Sequence, residues 1–126
     1  MRPTIQPFIP KLLGPKDWGT ELLIAQTEHY IGKVLTMDPG QSGPLQYHER
    51  KDETFYLLSG RAIVRYLDMS GTLQSRAMSH GEAYRIPPGA VHQVEAVTTC
   101  IFIEASTPVF DDRVAWREPS VLDHGG

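Results

Sequence analysis

The chain has 126 residues, of which 40% are hydrophobic and 21% are charged, and its formal net charge is −3. A chain of this length suits one domain that removes roughly two-thirds of its unfolded surface from water, so its core needs no disulfide to be stable. The lack of excess positive charge argues against nucleic acid as a partner, and no apolar run approaches the roughly 20 residues of a membrane-spanning helix, which argues against a membrane protein.

Residues 1–20 are predicted to form an extended arm. Each proline removes a backbone donor and restricts the residue before it, so a helix is disfavoured here. The arm also lacks the continuous apolar segment that is typical of a signal peptide. The single cysteine, Cys100, is predicted to be a small buried hydrophobe, which fits a reducing compartment. Together these features predict a cytoplasmic protein. The prolines of the arm are Pro3, Pro7, Pro10 and Pro15.

Seven short β-prone runs follow the arm. Turns rich in glycine and proline separate them at intervals of roughly ten residues, which is typical of an all-β domain. We therefore predict a single closed domain over residues 21–106, either a jelly roll or an up-and-down barrel, followed by a C-terminal wrap and tail over residues 107–126. The runs cover residues 21–25, 30–37, 54–58, 61–67, 72–78, 82–86 and 99–105.

Four side chains in two stretches have the spacing of a metal site. Gln46 and His48 are two residues apart and share a face if they lie on a strand. Glu53 follows after a polar link and is expected on the adjacent strand, and His92 follows a Pro-Pro-Gly turn that reverses the chain. Two imidazoles, one carboxylate and one amide oxygen suit one divalent ion of Zn, Mn, Fe, Co or Ni.

The same stretches resemble the two motifs of the cupin superfamily. The first motif contains a glycine, a His-x-His pair, a glutamate and a second glycine, and the second contains a glycine, a Pro-x-Gly turn, a histidine and an asparagine. The departures are Gln46 in place of the first histidine and Ala96 in place of the asparagine. The resemblance implies a double-stranded β-helix, which is a small jelly roll. The matching positions are Gly40, His48, Glu53, Gly60, Gly81, Pro87, Gly89 and His92.

Gln46 indicates which group within the superfamily the chain resembles. A Gln-x-His pair with a later glutamate and histidine is similar to the metal ligands of phosphomannose isomerases and of the isomerase half of mannose-1-phosphate guanylyltransferases. The stretch from Lys16 to Gly19 also resembles the Lys/Arg-Pro-Trp-Gly opening of that group. This likeness implies a sugar or sugar phosphate substrate and favours zinc. In place of the group's arginine-rich RFEDRYGR segment, however, this chain reads AWREPSVL.

Three further residues are candidates for the chemistry. Glu104 lies in an apolar run and is the candidate acid or base, because a carboxyl group facing the interior would have a raised pKa. Arg85, seven residues before His92, is a candidate for substrate binding, as is Tyr56. For both residues the alternative is a structural role, with Arg85 on a solvated sheet face and Tyr56 in packing.

Three functions remain open from these residues. The first is a metal-dependent enzyme that isomerises a sugar or sugar phosphate, and the second is an iron-dependent dioxygenase built on two histidines and a carboxylate. The third is a non-catalytic sensor or binding protein that uses the ion to hold a small molecule. In each case the partner is a small molecule. The N-terminal arm and exposed strand edges also predict a homodimer.

Overall fold

The computed structural model describes residues 1–117, and this part of the chain is built from strands without a helix. Accordingly, no helix in residues 1–117 has the length and apolar character needed to cross a membrane. The eleven strands are β1 (Lys11–Lys16), β2 (Gly19–Gln26), β3 (Ile31–Met37), β4 (Gln46–His48), β5 (Glu53–Ser59), β6 (Arg61–Leu67), β7 (Leu73–Ser79), β8 (Ala83–Ile86), β9 (His92–Ala96), β10 (Cys100–Ser106) and β11 (Arg113–Ala115).

The strands form two antiparallel sheets. The six-stranded sheet has the order β1-β2-β3-β10-β5-β8, and the five-stranded sheet has the order β11-β4-β9-β6-β7. Strands that follow one another in the chain often belong to different sheets, as β4 and β5 do, so the chain winds between two layers. This arrangement is a jelly roll of the double-stranded β-helix type. The predicted fold class is therefore confirmed.

The inner faces of the sheets divide into an apolar core and a polar pocket. On β5 and β10 the alternation of buried and exposed residues is regular, because successive side chains point to opposite faces. Leu57 and Phe102 lie at the core end of these strands and are almost completely buried. Glu53 and Glu104 lie further along the same inner faces and are also buried. The pocket therefore continues the core on the same strands.

Seven strands coincide with the predicted runs, and four others are shorter or less apolar. Within the predicted arm, β1 pairs with β2 as the edge of the larger sheet. Within the predicted C-terminal wrap, β11 pairs with β4. The predicted tail over residues 118–126 lies outside the described residues. Cys100 is buried, as its apolar surroundings predicted.

Gly60 occupies the turn between β5 and β6, and it is a sensitive position of the fold. Its φ of 99° lies in the left-handed region, and an added Cβ would collide with the backbone of Thr99. Gly71 also has a positive φ, of 84°, but open space surrounds it. We expect Gly60→Ala to lower the free energy of unfolding by more than about 2 kcal/mol, because backbone strain and a backbone clash add. We expect Gly71→Ala to cost only about 1 kcal/mol, from the strain alone.

Urea denaturation of the two variants beside the wild-type protein measures this difference. Equal losses of stability would show that the close approach to Thr99 does not matter.

Candidate metal centre

Three strands bring the candidate ligands together. His48 ends β4, Glu53 begins β5 and His92 begins β9. The ligand atoms of these three side chains all lie within 4.8 Å of one another, and all three residues are buried. Glu53 Oε1 is 3.5 Å from both His48 Nε2 and His92 Nε2. The spacing in the sequence therefore predicted a real cluster.

Both histidines are oriented by their other ring nitrogen. Nδ1 of His92 is 2.9 Å from the Ala90 carbonyl oxygen, which can only accept, so Nδ1 carries the proton and donates. Nδ1 of His48 donates to Asp112 Oδ1 at 3.1 Å. In both rings Nε2 therefore points at the cluster and can offer its lone pair to an ion when one binds, as in metal sites whose histidines are held by outer hydrogen bonds.

Asp112 is itself held in place from two sides. Its other oxygen, Oδ2, accepts hydrogen bonds from the backbone N–H groups of Arg50 at 2.6 Å and Lys51 at 2.9 Å. Burial would raise the pKa of Asp112, but these hydrogen bonds and the one from His48 outweigh it and lower that pKa. Asp112 is thus a negatively charged acceptor that orients His48.

The donor set fits a divalent metal ion. Two ligands of a tetrahedral ion, each about 2.1 Å from the metal, are about 3.4 Å apart, which is close to the two 3.5 Å separations at Glu53. Two neutral imidazoles and one carboxylate are ligands that zinc, manganese and iron accept. The cluster of His48, Glu53 and His92 can therefore hold an ion with further coordination positions open.

Gln46 lies beside this cluster. It faces His92 in the register of β4 and β9, and its side chain lines the same cavity as the three ligands. The position suits the fourth ligand that the sequence predicted, and that role stays a prediction.

A buried lysine links the cluster to Glu104. Lys51 is 4% exposed, and its Nζ lies 3.3 Å from Glu53 Oε2 and 3.5 Å from Glu104 Oε1. Burial disfavours the charge of Lys51, yet the two carboxyl groups outweigh it and raise the lysine pKa. Lys51 therefore stays protonated and holds Glu104 next to a metal ligand.

The two carboxyl groups on either side of Lys51 differ in their ionisation. Burial raises the pKa of Glu104 to about 8, and the neighbouring Glu53 acts in the same direction. Burial also opposes ionisation of Glu53, but hydrogen bonds with His48, His92 and Glu104, together with the charge of Lys51, hold its pKa well below the usual range. Two adjacent carboxyl groups whose pKa values are driven apart are typical of acid-base sites.

The cluster opens into a cavity of about 340 Å³. This volume is at the small end of the range of roughly 300–1,000 Å³ found for ligand pockets. Its wall includes Trp18, Leu35 and Phe102 as apolar surfaces and Gln93 as a polar one. Lys33 and Glu21 also line it, joined by a hydrogen bond of 2.8 Å. The cavity therefore suits one small molecule with both polar and apolar parts.

Both predicted substrate-binding residues lie elsewhere. Tyr56 follows Glu53 by three positions on β5, so it points to the outer face of the sheet and is 38% exposed. Arg85 pairs with Thr54 across β8 and β5, also on the outer face, and its guanidinium contacts Asp52 at 2.8 Å. Neither side chain lines the cavity of the metal cluster. The structure thus corrects the expectation that they contact a ligand there.

Sequence reasoning missed Lys51 and Asp112. Lys51 stands in a polar link that suggests a solvated loop, and only the folded structure shows it buried between two carboxyl groups. Asp112 lies 64 residues after His48, so spacing gives no indication of their contact. The one available hint was that residues 111–114, which read DDRV, are similar to the DDIV segment of the isomerase group.

The fold and the ligand cluster define a cupin. Residues 33–105 match the cupin domain family, which is more than half of the chain, and the protein therefore belongs to that family. Members of the family bind small-molecule ligands or substrates.

Two characterised proteins are similar over part of the chain. Germin-like protein 3-7 from Oryza sativa subsp. japonica is 33% identical over 58 residues, which are 46% of this chain and 25% of that protein. The mannose-1-phosphate guanylyltransferase RfbM from Salmonella typhimurium strain LT2 is 29% identical over 80 residues, which are 64% of this chain and 16% of RfbM. The chain thus spans a quarter or less of the length of either relative.

Solved structures share the fold more completely. The capsular polysaccharide assembling protein CapF from Staphylococcus aureus superposes with a TM-score of 0.74 at 21% identity, over 86% of this chain and 32% of CapF. KdgF from Halomonas sp. superposes with a TM-score of 0.70 at 22% identity, over 81% of this chain and 91% of KdgF. At these identities the likeness establishes the cupin fold.

Proposed function

We propose that this protein is a metal-dependent enzyme that moves a proton within a small sugar or sugar derivative, in the manner of an aldose-ketose isomerase. The observation that carries the proposal is the position of Glu104. Its carboxyl group is buried in the same cavity as His48, Glu53 and His92, and Lys51 joins it to Glu53. A carboxyl group beside an open metal site is the arrangement that proton transfer next to a carbonyl requires.

Each residue of the site has a separate role in this proposal. His48, Glu53 and His92 would hold the ion, with Gln46 as a fourth ligand. The ion, when bound, polarises a carbonyl oxygen and lowers the pKa of a neighbouring hydroxyl. Glu104 as a carboxylate would remove the proton from the carbon next to the carbonyl and then deliver it to the carbonyl carbon, while the proton of the neighbouring hydroxyl passes to the former carbonyl oxygen. Lys51 keeps Glu104 in place, and the apolar walls limit the access of water.

Two of the comparisons agree with a sugar-related substrate. The names of RfbM, a mannose-1-phosphate guanylyltransferase, and of CapF, a capsular polysaccharide assembling protein, both refer to saccharides. The cavity of about 340 Å³ also limits the substrate to a small molecule. We also propose that the protein is cytoplasmic. We further propose zinc as the ion, on the likeness of its Gln-x-His pair to the isomerase group.

Hydrogen exchange tests this function directly. The protein loaded with zinc or manganese is incubated in D₂O with free hexoses and hexose phosphates, and proton NMR follows the loss of the signal from the carbon next to the carbonyl. We expect exchange that depends on the metal. Absence of exchange with every sugar would contradict the proposal. Oxygen consumption by the iron-loaded protein in its place would support the dioxygenase alternative.

We also propose that the protein is a homodimer that packs through the outer face of its larger sheet. Six uncharged residues, one on each strand of this sheet, form a continuous row across it. Each residue is the direct cross-strand neighbour of the next. Three of its larger members are well exposed, at 63% for Leu12, 39% for Ile103 and 38% for Tyr56. An exposed apolar row of this kind can pack against the same row of a second copy about a two-fold axis. The row consists of Leu12, Leu22, Val34, Ile103, Tyr56 and Ala83.

A charge placed in this row is expected to separate the dimer. Ile103→Glu would bring two carboxylates into the apolar contact, so we expect the mass from light scattering to fall from that of a dimer to that of a monomer. Ser75→Glu, on the exposed strand β7 of the other sheet, is the control and is expected to remain dimeric. A monomeric wild-type protein would contradict the proposal.

A further inference from the structure

One end of the cavity carries more positive than negative charge. Lys33 Nζ contacts Glu21 Oε1 at 2.8 Å, and Lys16 Nζ contacts Glu21 Oε2 at 3.3 Å, so two ammonium groups share one carboxylate. All three side chains line the cavity. The group is called the Lys16–Glu21–Lys33 cluster below.

Lys33 is the unusual member of this cluster. It is only 5% exposed, and the ring of Phe110 covers its ammonium group with 5.5 Å between Nζ and the ring centroid. An ammonium group has three donors. Within residues 1–117, Glu21 is the one side-chain or backbone acceptor that it meets. Buried charges are normally paired and hydrogen-bonded, so the unused donors of Lys33 are suited to acceptor oxygens supplied by a ligand.

The cluster adjoins the proposed proton-transfer group. Lys33 on β3 and Glu104 on β10 are direct cross-strand neighbours, and both line the cavity. Side chains that are opposite in this way have Cβ atoms roughly 4.5–5.5 Å apart. A ligand held by Lys33 therefore extends directly to the position where Glu104 acts.

We infer that the Lys16–Glu21–Lys33 cluster binds an anionic oxygen group of the substrate, so that the substrate of this cupin is a small charged sugar derivative and not a neutral sugar. The shared chemistry is a carboxylate or a phosphate, each of which accepts the free donors of Lys33 and offsets the excess charge. The inference rests on the proposed function only in assigning the same cavity to a substrate. It adds a second point of attachment that fixes the orientation of the substrate against Glu104.

Equilibrium binding to the metal-free protein tests the inference apart from catalysis. Calorimetric titrations compare glucuronate, glucose 6-phosphate and glucose, which share a ring but differ in charge. We expect the preferred charged sugar to bind at least about tenfold more tightly than glucose, because hydrogen bonds to charged groups are worth more than neutral ones. The tighter of the two charged sugars identifies the anionic group as a carboxylate or a phosphate.

Substitutions in the cluster then locate the binding. Lys33→Met is expected to bind the charged sugar and glucose with nearly equal affinity. Lys33→Arg keeps the charge and is expected to retain most of the preference for the charged sugar. Lys16→Met, at a more exposed position, is expected to weaken the preference in part. This variant still tests the cluster if Lys33→Met does not fold. The matched control is Lys11→Met, which removes the same charge from an exposed position of the same strand β1.

The outcomes separate this inference from the proposed function. A charge preference that Lys33→Met abolishes supports the anion subsite even if no hydrogen exchange is ever observed. Equal affinity for the three sugars, no measurable binding of any of them, or an unchanged preference in Lys33→Met would overturn the subsite. Hydrogen exchange on neutral hexoses would in that case still support the proposed function.

Discussion

Replacing His48 with alanine is expected to abolish stoichiometric metal binding. Loss of an outer hydrogen-bond partner of a metal ligand costs roughly 10–100-fold in affinity, and loss of a direct ligand is expected to cost at least the upper end of that range. His48 supplies one of only three ligand atoms in the His48, Glu53 and His92 cluster. Elemental analysis of protein purified without chelators, followed by zinc titration against a competing chelator, measures the effect.

Two further variants make this result specific. His80→Ala removes an exposed histidine from a turn outside the site and is expected to bind metal as the wild-type protein does. Asp112→Asn keeps His48 but weakens the group that orients it, so a loss of roughly 10–100-fold is expected. If His48→Ala is folded and still binds one equivalent of metal with unchanged affinity, the proposed metal centre is wrong.

Replacing Glu104 with glutamine is expected to lower the rate of hydrogen exchange by roughly 10²–10⁴-fold, the usual contribution of a positioned acid or base. Glutamine keeps the size of the side chain and an oxygen that can accept from Lys51, so the metal content is expected to stay unchanged. Proton NMR in D₂O gives the rate, and elemental analysis gives the metal content of the same sample.

The control for this prediction is Glu95→Gln. Glu95 is also a strand carboxylate in an ion pair, 2.9 Å from Arg65, but it lies outside the cavity of the metal cluster. Its replacement is expected to leave the exchange rate unchanged. If Glu104→Gln exchanges hydrogen at the wild-type rate, the assignment of the proton transfer to Glu104 is wrong.

The ligand cluster could be predicted because its residues lie in short stretches whose links and turns are recognisable in the sequence. His48 and Glu53 are separated by one short link, and His92 follows a turn whose prolines and glycine are visible in the sequence. The alternating pattern of β5 also fixes which residues face inward. Tyr56 could have been rejected on this basis alone, because an odd separation from Glu53 places it on the opposite face of the same strand.

The remaining features of the site depend on the pairing of distant strands, which the sequence does not display. Arg85 faces outward because β8 pairs with β5 in the register that sets Ile86 opposite Glu53. A shift of one residue would have turned Arg85 inward. Lys33 and Glu104 are neighbours only because β3 pairs with β10, across more than half of the chain. Neither the composition nor the periodicity of the sequence predicts these strand registers.

The contact between His48 and Asp112 makes the metal site depend on a distant part of the chain. The two residues are 64 positions apart, and Asp112 also accepts hydrogen bonds from the backbone between His48 and Glu53. Undocking of the segment that carries Asp112 and leads into β11 would free the His48 ring without removing any of the three ligands. We therefore expect the ion to be held less tightly whenever this segment is undocked.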